Sequence, residues 1–145
     1  MIAERVAAVE ARVAQACARA GRARAGVVLL GVAKTQPEAA VVEAYQAGVR
    51  AFGENYVQEL EAHAQALAAH DDVAWHLIGH LQSNKAKKAA ERATLIHTVD
   101  TTKLARALGQ AAHGRASPLG VLVEVNLGGE ASKHGAAPDG VEAVL

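Results

Sequence analysis

Cysteine is almost absent from this sequence: Cys17 is the only one in 145 residues. One thiol excludes an internal disulfide and fits a reducing compartment. Aromatic side chains make up only 3% of the chain, so alanine, valine and leucine have to build the core. Neither sign of charge is in excess, because 15 basic and 15 acidic residues cancel. That balance gives no footprint for a nucleic acid or an anionic membrane surface. No apolar run approaches the roughly 20 residues that cross a bilayer. The first stretch, MIAERVAAVEARVAQA, is charged throughout and lacks the apolar segment of a signal peptide. The cytoplasm is therefore the expected location. Walker A, GxGxxG, nucleophile-elbow and ordered Ser-His-Asp patterns are also missing.

What is present is a repeating alternation of apolar runs and amphipathic segments. Ile2, Val6, Val9, Val13, Cys17 and Ala20 recur at three- and four-residue steps, with charges on the other face. This predicts an N-terminal helix ending near Gly21, with Cys17 as a small core hydrophobe. Five apolar runs follow: Val27–Lys34, Val49–Asn55, Val73–Gly79, Thr94–Val99 and Leu119–Leu127. Each reads as a buried strand, and the segments between them read as helices. Thr35 and Glu38 have capping-box spacing, with Pro37 in the first turn of the helix to about Ala47. Ser83 or Asn84, and Thr101 or Thr102, are the candidate caps of two later helices. Gly128–Asp139 is a polar loop, and Gly140–Leu145 begins another helix.

Strands alternating with helices imply a parallel α/β sheet with right-handed crossovers. Strand starts recur every roughly 22–25 residues, the unit length of a (β/α)8 barrel. Five such units occur. Two architectures fit them: a complete doubly wound five-stranded domain, or a TIM-barrel type of which this chain holds the first five units. Length alone favours the former.

In either architecture, chemistry gathers at the carboxyl ends of the strands. Those ends carry Lys34, Asn55, the segment His76–His80, Thr98 with Asp100, and Asn126. Lys34 shares a strand face with Leu30 and Val32. A desolvated lysine there retains some free amine and can attack an aldehyde. Equally, it can snorkel to solvent or pair with a carboxylate such as Glu124. Asn55 shares its face with Ala51 and Gly53, small residues that leave room for a planar group its amide can bond. It can also simply cap the next helix.

His76 and His80 lie four apart, but on a strand and its loop rather than on a helix. No carboxylate stands at ligand spacing, so no metal site is expected. His76 is expected to face inward beside Ile78. Lys85, Lys87 and Lys88 near a helix start can greet a phosphate, though a solvated face is the preferred reading. Lys133, in the loop GGEASKHG, is a second lysine near the presumed mouth.

Five strings stand in order: LLGVAKTQP, AGVRAFGENYVQE, WHLIGHLQSNK, IHTVD and VLVEVNLGGEASKHG. Together they closely resemble the YggS/PROSC family of pyridoxal phosphate (PLP) homeostasis proteins, over residues 2 to 138. The resemblance implies a single barrel domain of the alanine-racemase type, PLP fold type III, here spanning residues 1–145 and incomplete at its C-terminus. It implies that Lys34, in AKT, holds PLP as a Schiff base, and that Asn55, in GENY, lies beside the cofactor ring. It implies a protein that holds and delivers PLP, with PLP-dependent apoenzymes as recipients and no established turnover. The full-length family is expected to be monomeric, whereas exposed strand edges would make five units alone self-associate. The family's phosphate cup, a Ser/Gly-rich loop with an Arg-Ile-Gly strand end, is not in this sequence. The competing readings are a PLP-dependent amino-acid racemase and a fragment that does not bind. Two-base racemisation needs a second base, typically a tyrosine, and only Tyr45 and Tyr56 are available.

Overall fold

The computed structural model describes residues 1–145. Helix α1 (Ile2–Arg19) leads into strand β1 (Leu30–Val32). Then come α2 (Glu38–Gln46), β2 (Ala51–Glu54), α3 (Val57–Ala66) and β3 (Ala74–Leu77). They are followed by α4 (Ala86–Arg92), β4 (Leu95–Val99), α5 (Thr102–Ala112), β5 (Gly120–Val123) and a short α6 (Val141–Val144). All five predicted strands form, each shorter than its apolar run.

The strands are parallel and lie in the order β1-β2-β3-β4-β5. This order separates the two architectures. A doubly wound sheet reverses direction at a switch point, whereas a barrel wall adds each new strand on the same side. No reversal occurs, so the chain forms five successive units of a barrel-type α/β wall.

The core lies between the sheet's outer face and the helices. Phe52, Trp75, Leu77 and Ile96 come from the strands, and Val41, Leu60, Ala89, Leu104 and Leu108 from α2 to α5. Full burial of each large side chain contributes about 1.5–3 kcal/mol. The Phe52 and Trp75 rings stack with centroids 5.5 Å apart, which places the scarce aromatics in adjacent strands. The opposite face carries Ala51, Gly53, His76 and Ile78. Toward the sheet's two edges it is open: Val32 is 51% and Leu122 48% exposed.

Of the side-chain caps expected, only Thr101 forms; Ser83 and Asn84 lie in a 3-10 turn ahead of α4, whose N-cap is Lys85 with no side-chain bond. Gly48 takes φ of +106° after α2, and the Gly48 and Val49 amides close back onto the carbonyls of Tyr45 and Ala44, as a left-handed glycine cap does. The Thr101 hydroxyl accepts the Leu104 N–H at 3.2 Å and caps α5. Cys17 is buried, in keeping with its place on the apolar stripe. The capping box predicted at Thr35 does not form. Pro37 is the N-cap of α2 and Thr35 lies outside the helix with φ of +61°. No helix is long and apolar enough to cross a membrane.

Candidate functional site

The first site residue sits beyond its strand, not at the strand's end. After Val32, the Ala33 amide still bonds to the Gly53 carbonyl at 3.0 Å. The chain then turns, with the Gln36 N–H donating to the Ala33 carbonyl at 3.0 Å. Lys34 and Thr35 are the central residues of this turn, and Thr35 supplies the positive φ that type II turns require at their third position. Lys34 is thereby lifted into solvent. It takes part in none of the chain's ion pairs. Glu124, the partner that sequence spacing allowed, keeps Oε2 buried without a hydrogen bond. The amine of Lys34 is therefore not committed to a structural contact.

Asn55 follows β2 directly. Ladder register pairs Val32 with Gly53, so Lys34 and Asn55 each stand two residues past a matched pair, on neighbouring strands. The cap reading of Asn55 does not hold: Tyr56 is the N-cap of α3, and no side chain caps that helix. Asn55 is half-buried and lines a cavity of about 300 Å³ with Tyr56, Gln58, His80, Gln82 and Lys85. Its amide is thus available at the mouth. The approach of β3 beneath it depends on Gly79, where a β-carbon would lie 2.2 Å from the Asn55 carbonyl oxygen.

The remaining strand-end residues divide into free and committed groups. Thr98 donates its hydroxyl proton to the Gly79 carbonyl at 2.7 Å. The Asn126 amide bonds to the carbonyls of Glu130 and Lys133, at 3.0 and 3.4 Å, and so shapes its own loop. Lys133 pairs with Glu130 at 2.9 Å in solvent. Among the lysines weighed at the mouth, Lys133 is paired and Lys34 is not.

Histidines come together in ways the spacing did not reveal. His76 Nδ1 and His97 Nε2 lie 3.0 Å apart between β3 and β4. One nitrogen must donate and the other accept, so the two rings cannot both be protonated in this arrangement. Burial and the neighbouring imidazole hold His76 below the usual histidine range. At the mouth, the rings of His80 and His134 stack at 3.8 Å, 10° from parallel, with Asp100 within reach of His80. Their ligand atoms lie within 4.8 Å of one another, but parallel rings keep their in-plane lone pairs from converging on one point. These pairs link residues 21 and 54 positions apart, and only the fold brings them together.

Sequence reasoning also missed the buried pair behind Lys34. Glu54 is fully buried, and His63 of α3 reaches it with Nδ1 to Oε1 at 2.7 Å. A signal was present: strict alternation puts Glu54 on the opposite face from Asn55, in the core, where a carboxylate needs a partner.

This geometry has relatives. Residues 5–145 match the family described as alanine racemase, N-terminal domain. The chain belongs to that family. Among similar curated proteins, a pyridoxal phosphate homeostasis protein of Pseudomonas aeruginosa is 47% identical over 143 residues, 99% of this chain and 62% of the relative. A protein of the same description from Vibrio alginolyticus is 48% identical over 120 residues, 81% of this chain and 52% of the relative. The alanine racemase N-terminal fold recurs in solved structures. A Bifidobacterium adolescentis protein superposes with a TM-score of 0.82 at 36% identity, covering 99% of this chain and 62% of its own. PipY of Synechococcus elongatus, solved with PLP bound, gives 0.74 at 38% identity, covering 99% and 61%. The chain thus spans about 62% of the length of the Pseudomonas relative.

Proposed function

We propose that this chain carries the lysine-bearing part of a PLP homeostasis protein, with Lys34 holding the cofactor as a Schiff base and Asn55 beside the ring. One observation carries the reading: an unpaired lysine and an uncommitted amide each stand two residues past a matched pair on adjacent strands of a barrel-type wall. The PLP-bound relative PipY supports the choice of ligand. PLP, when bound, supplies an aldehyde that condenses with a primary amine. The chain's own residues supply the unpaired amine, an amide donor and acceptor at Asn55, and a polar cavity. On the same reading residues 1–145 are one PLP-binding domain acting in the cytoplasm, with PLP-dependent apoenzymes as recipients.

The role is carriage and not turnover. Names of the curated relatives support this, since they are called homeostasis proteins. Tyrosine placement supports it too. Tyr45 lies at the end of α2, and its hydroxyl donates to Asp72, just ahead of β3, at 2.8 Å. That is the amino-terminal side of the sheet, opposite Lys34. The bond to Asp72 also pushes the Tyr45 phenol above its usual range, away from what a base acting near neutrality needs. Tyr56 is the one tyrosine at the mouth. With PLP in excess the chain should give a yellow species that Lys34→Ala abolishes and that is retained weakly once free PLP is removed, since the Ser/Gly-rich phosphate cup does not occur among these residues. A racemisation assay on alanine with the PLP-loaded chain should give no rate above free PLP. A rate lost in Tyr56→Phe would instead establish the racemase reading.

A further inference from the structure

Three polar side chains are buried in this wall, Glu54, His63 and Thr98, and the two ionisable ones meet beside the Lys34 turn. Glu54 is 0% exposed and His63 5%. His63 Nδ1 meets Glu54 Oε1 at 2.7 Å, and its Nε2 meets the backbone carbonyl of Gln36 at 3.1 Å. A carbonyl only accepts, so Nε2 carries a proton in every protonation state of the pair. The second proton lies between Nδ1 and Oε1. One turn earlier on α3, Glu59 Oε1 accepts the Thr35 N–H at 3.3 Å. Two consecutive turn residues, Thr35 and Gln36, are therefore held by side chains of a single helix.

Such a cluster is expensive to bury. Glu54 and Glu59 each leave Oε2 buried with no hydrogen-bond partner. An apolar pair of similar volume would commonly stabilise the β2–α3 interface as well or better. What an apolar pair cannot do is grip the Gln36 carbonyl with a directed N–H. Glu54 immediately precedes Asn55, and Gln36 lies two residues past Lys34. The chain of contacts Asn55–Glu54–His63–Gln36–Lys34 thus links the two mouth residues through the back of the wall.

We propose that the Glu54–His63 pair is a positioning strut that fixes the Ala33–Gln36 turn, and hence Lys34, relative to Asn55. Glu54 and His63 touch no cofactor on this account; they act through the backbone of the turn. The functional meaning rests on the proposed role of Lys34, but the strut itself is testable without PLP.

The test uses the full chain in two arms. In the first, amide hydrogen exchange is followed without PLP. His63→Ala should speed exchange at Thr35 and Gln36 about tenfold, the loss expected for one such hydrogen bond, while amides of β3 and β4 stay unchanged. His63→Gln, which restores an N–H donor near the Nε2 position, should recover most of the protection. In the second arm, the chain is treated with PLP and borohydride. The Lys34 amine adds to the aldehyde carbon, water leaves, and hydride reduces the resulting C=N bond to a stable secondary amine. Labelling of Lys34 relative to Lys133 should fall in His63→Ala and return in His63→Gln. If His63→Ala fails to fold, the apolar double variant Glu54→Leu/His63→Phe, which fills the site but offers the Gln36 carbonyl no N–H, decides the same question by faster exchange at Thr35 and Gln36 alone. Glu54→Gln should leave the turn protected, because a glutamine still bonds to His63. Unchanged exchange at the turn in His63→Ala would overturn the strut. So would an equal increase across the whole sheet, or His63→Gln behaving like His63→Ala. Absence of Lys34 labelling in the unsubstituted chain would defeat the PLP reading and leave the exchange arm to decide the strut.

Discussion

Gly79 packs so closely under Asn55 that a β-carbon on it would come within 2.2 Å of the Asn55 carbonyl oxygen and 2.7 Å of its Cα. The ends of β2 and β3 can approach this tightly only because residue 79 has no side chain. The contact is backbone against backbone, so no flexible group can yield. Gly79→Ala should therefore push the Asn55 segment outward and destabilise the fold by about 1–3 kcal/mol, the usual cost of overpacking. Urea unfolding checks this, and an unchanged midpoint would contradict it. The same variant should weaken PLP retention beyond the stability loss, because Asn55 moves with its backbone.

Thr35 is the only residue other than glycine with positive φ. A β-branched side chain in that region carries strain of roughly 1–2 kcal/mol. Asparagine tolerates the left-handed region much better. Thr35→Asn should raise the urea midpoint by an amount equivalent to about 1 kcal/mol with the slope unchanged. The hydrogen bond to Glu59 uses the backbone N–H, so the substitution leaves it in place. A lowered midpoint would show that the threonine side chain makes a contribution larger than its strain.

His76 links stability to pH. Burial and His97 lower its folded-state value below the ordinary 6.5. The unfolded chain therefore binds a proton at His76 before the folded chain does. The resulting stabilisation is fully present above about pH 6.5 and is lost as pH falls through the folded value. Unfolding free energy measured from pH 7.5 downward should fall in that window. His76→Asn should flatten that part of the curve. A slope unchanged by the substitution would assign the effect to another group.

Much of the fold was legible because apolar runs and turn signals repeat along the chain. All five strands fall inside their predicted runs, and Thr101 acts at the helix end where residue chemistry placed it. Strand ends were less legible. Lys34 reads as the last residue of an apolar strand, yet the ladder stops at Val32 and the lysine occupies a turn whose Thr35 and Gln36 backbone bonds to Glu59 and His63 of α3. Thr35 has a positive φ in that turn, so Pro37 and not Thr35 takes the capping position its spacing to Glu38 suggested. Lys34 and Asn55 could be nominated from one-dimensional pattern, since each stands next to small or apolar residues on an alternating strand. The pairs Glu54–His63, His76–His97 and His80–His134 could not, because each joins different elements and exists only once the strands are in register.

The most direct test of the central claim asks which amine reacts. The chain carries six lysines: Lys34, Lys85, Lys87, Lys88, Lys103 and Lys133. It is equilibrated with PLP, reduced with borohydride, digested and mapped by peptide mass spectrometry. The account predicts the pyridoxyl group chiefly on the peptide containing Lys34, with loss of that adduct and of the yellow absorbance in Lys34→Ala. Modification concentrated on another lysine, or spread evenly with Lys34 left free, would contradict it.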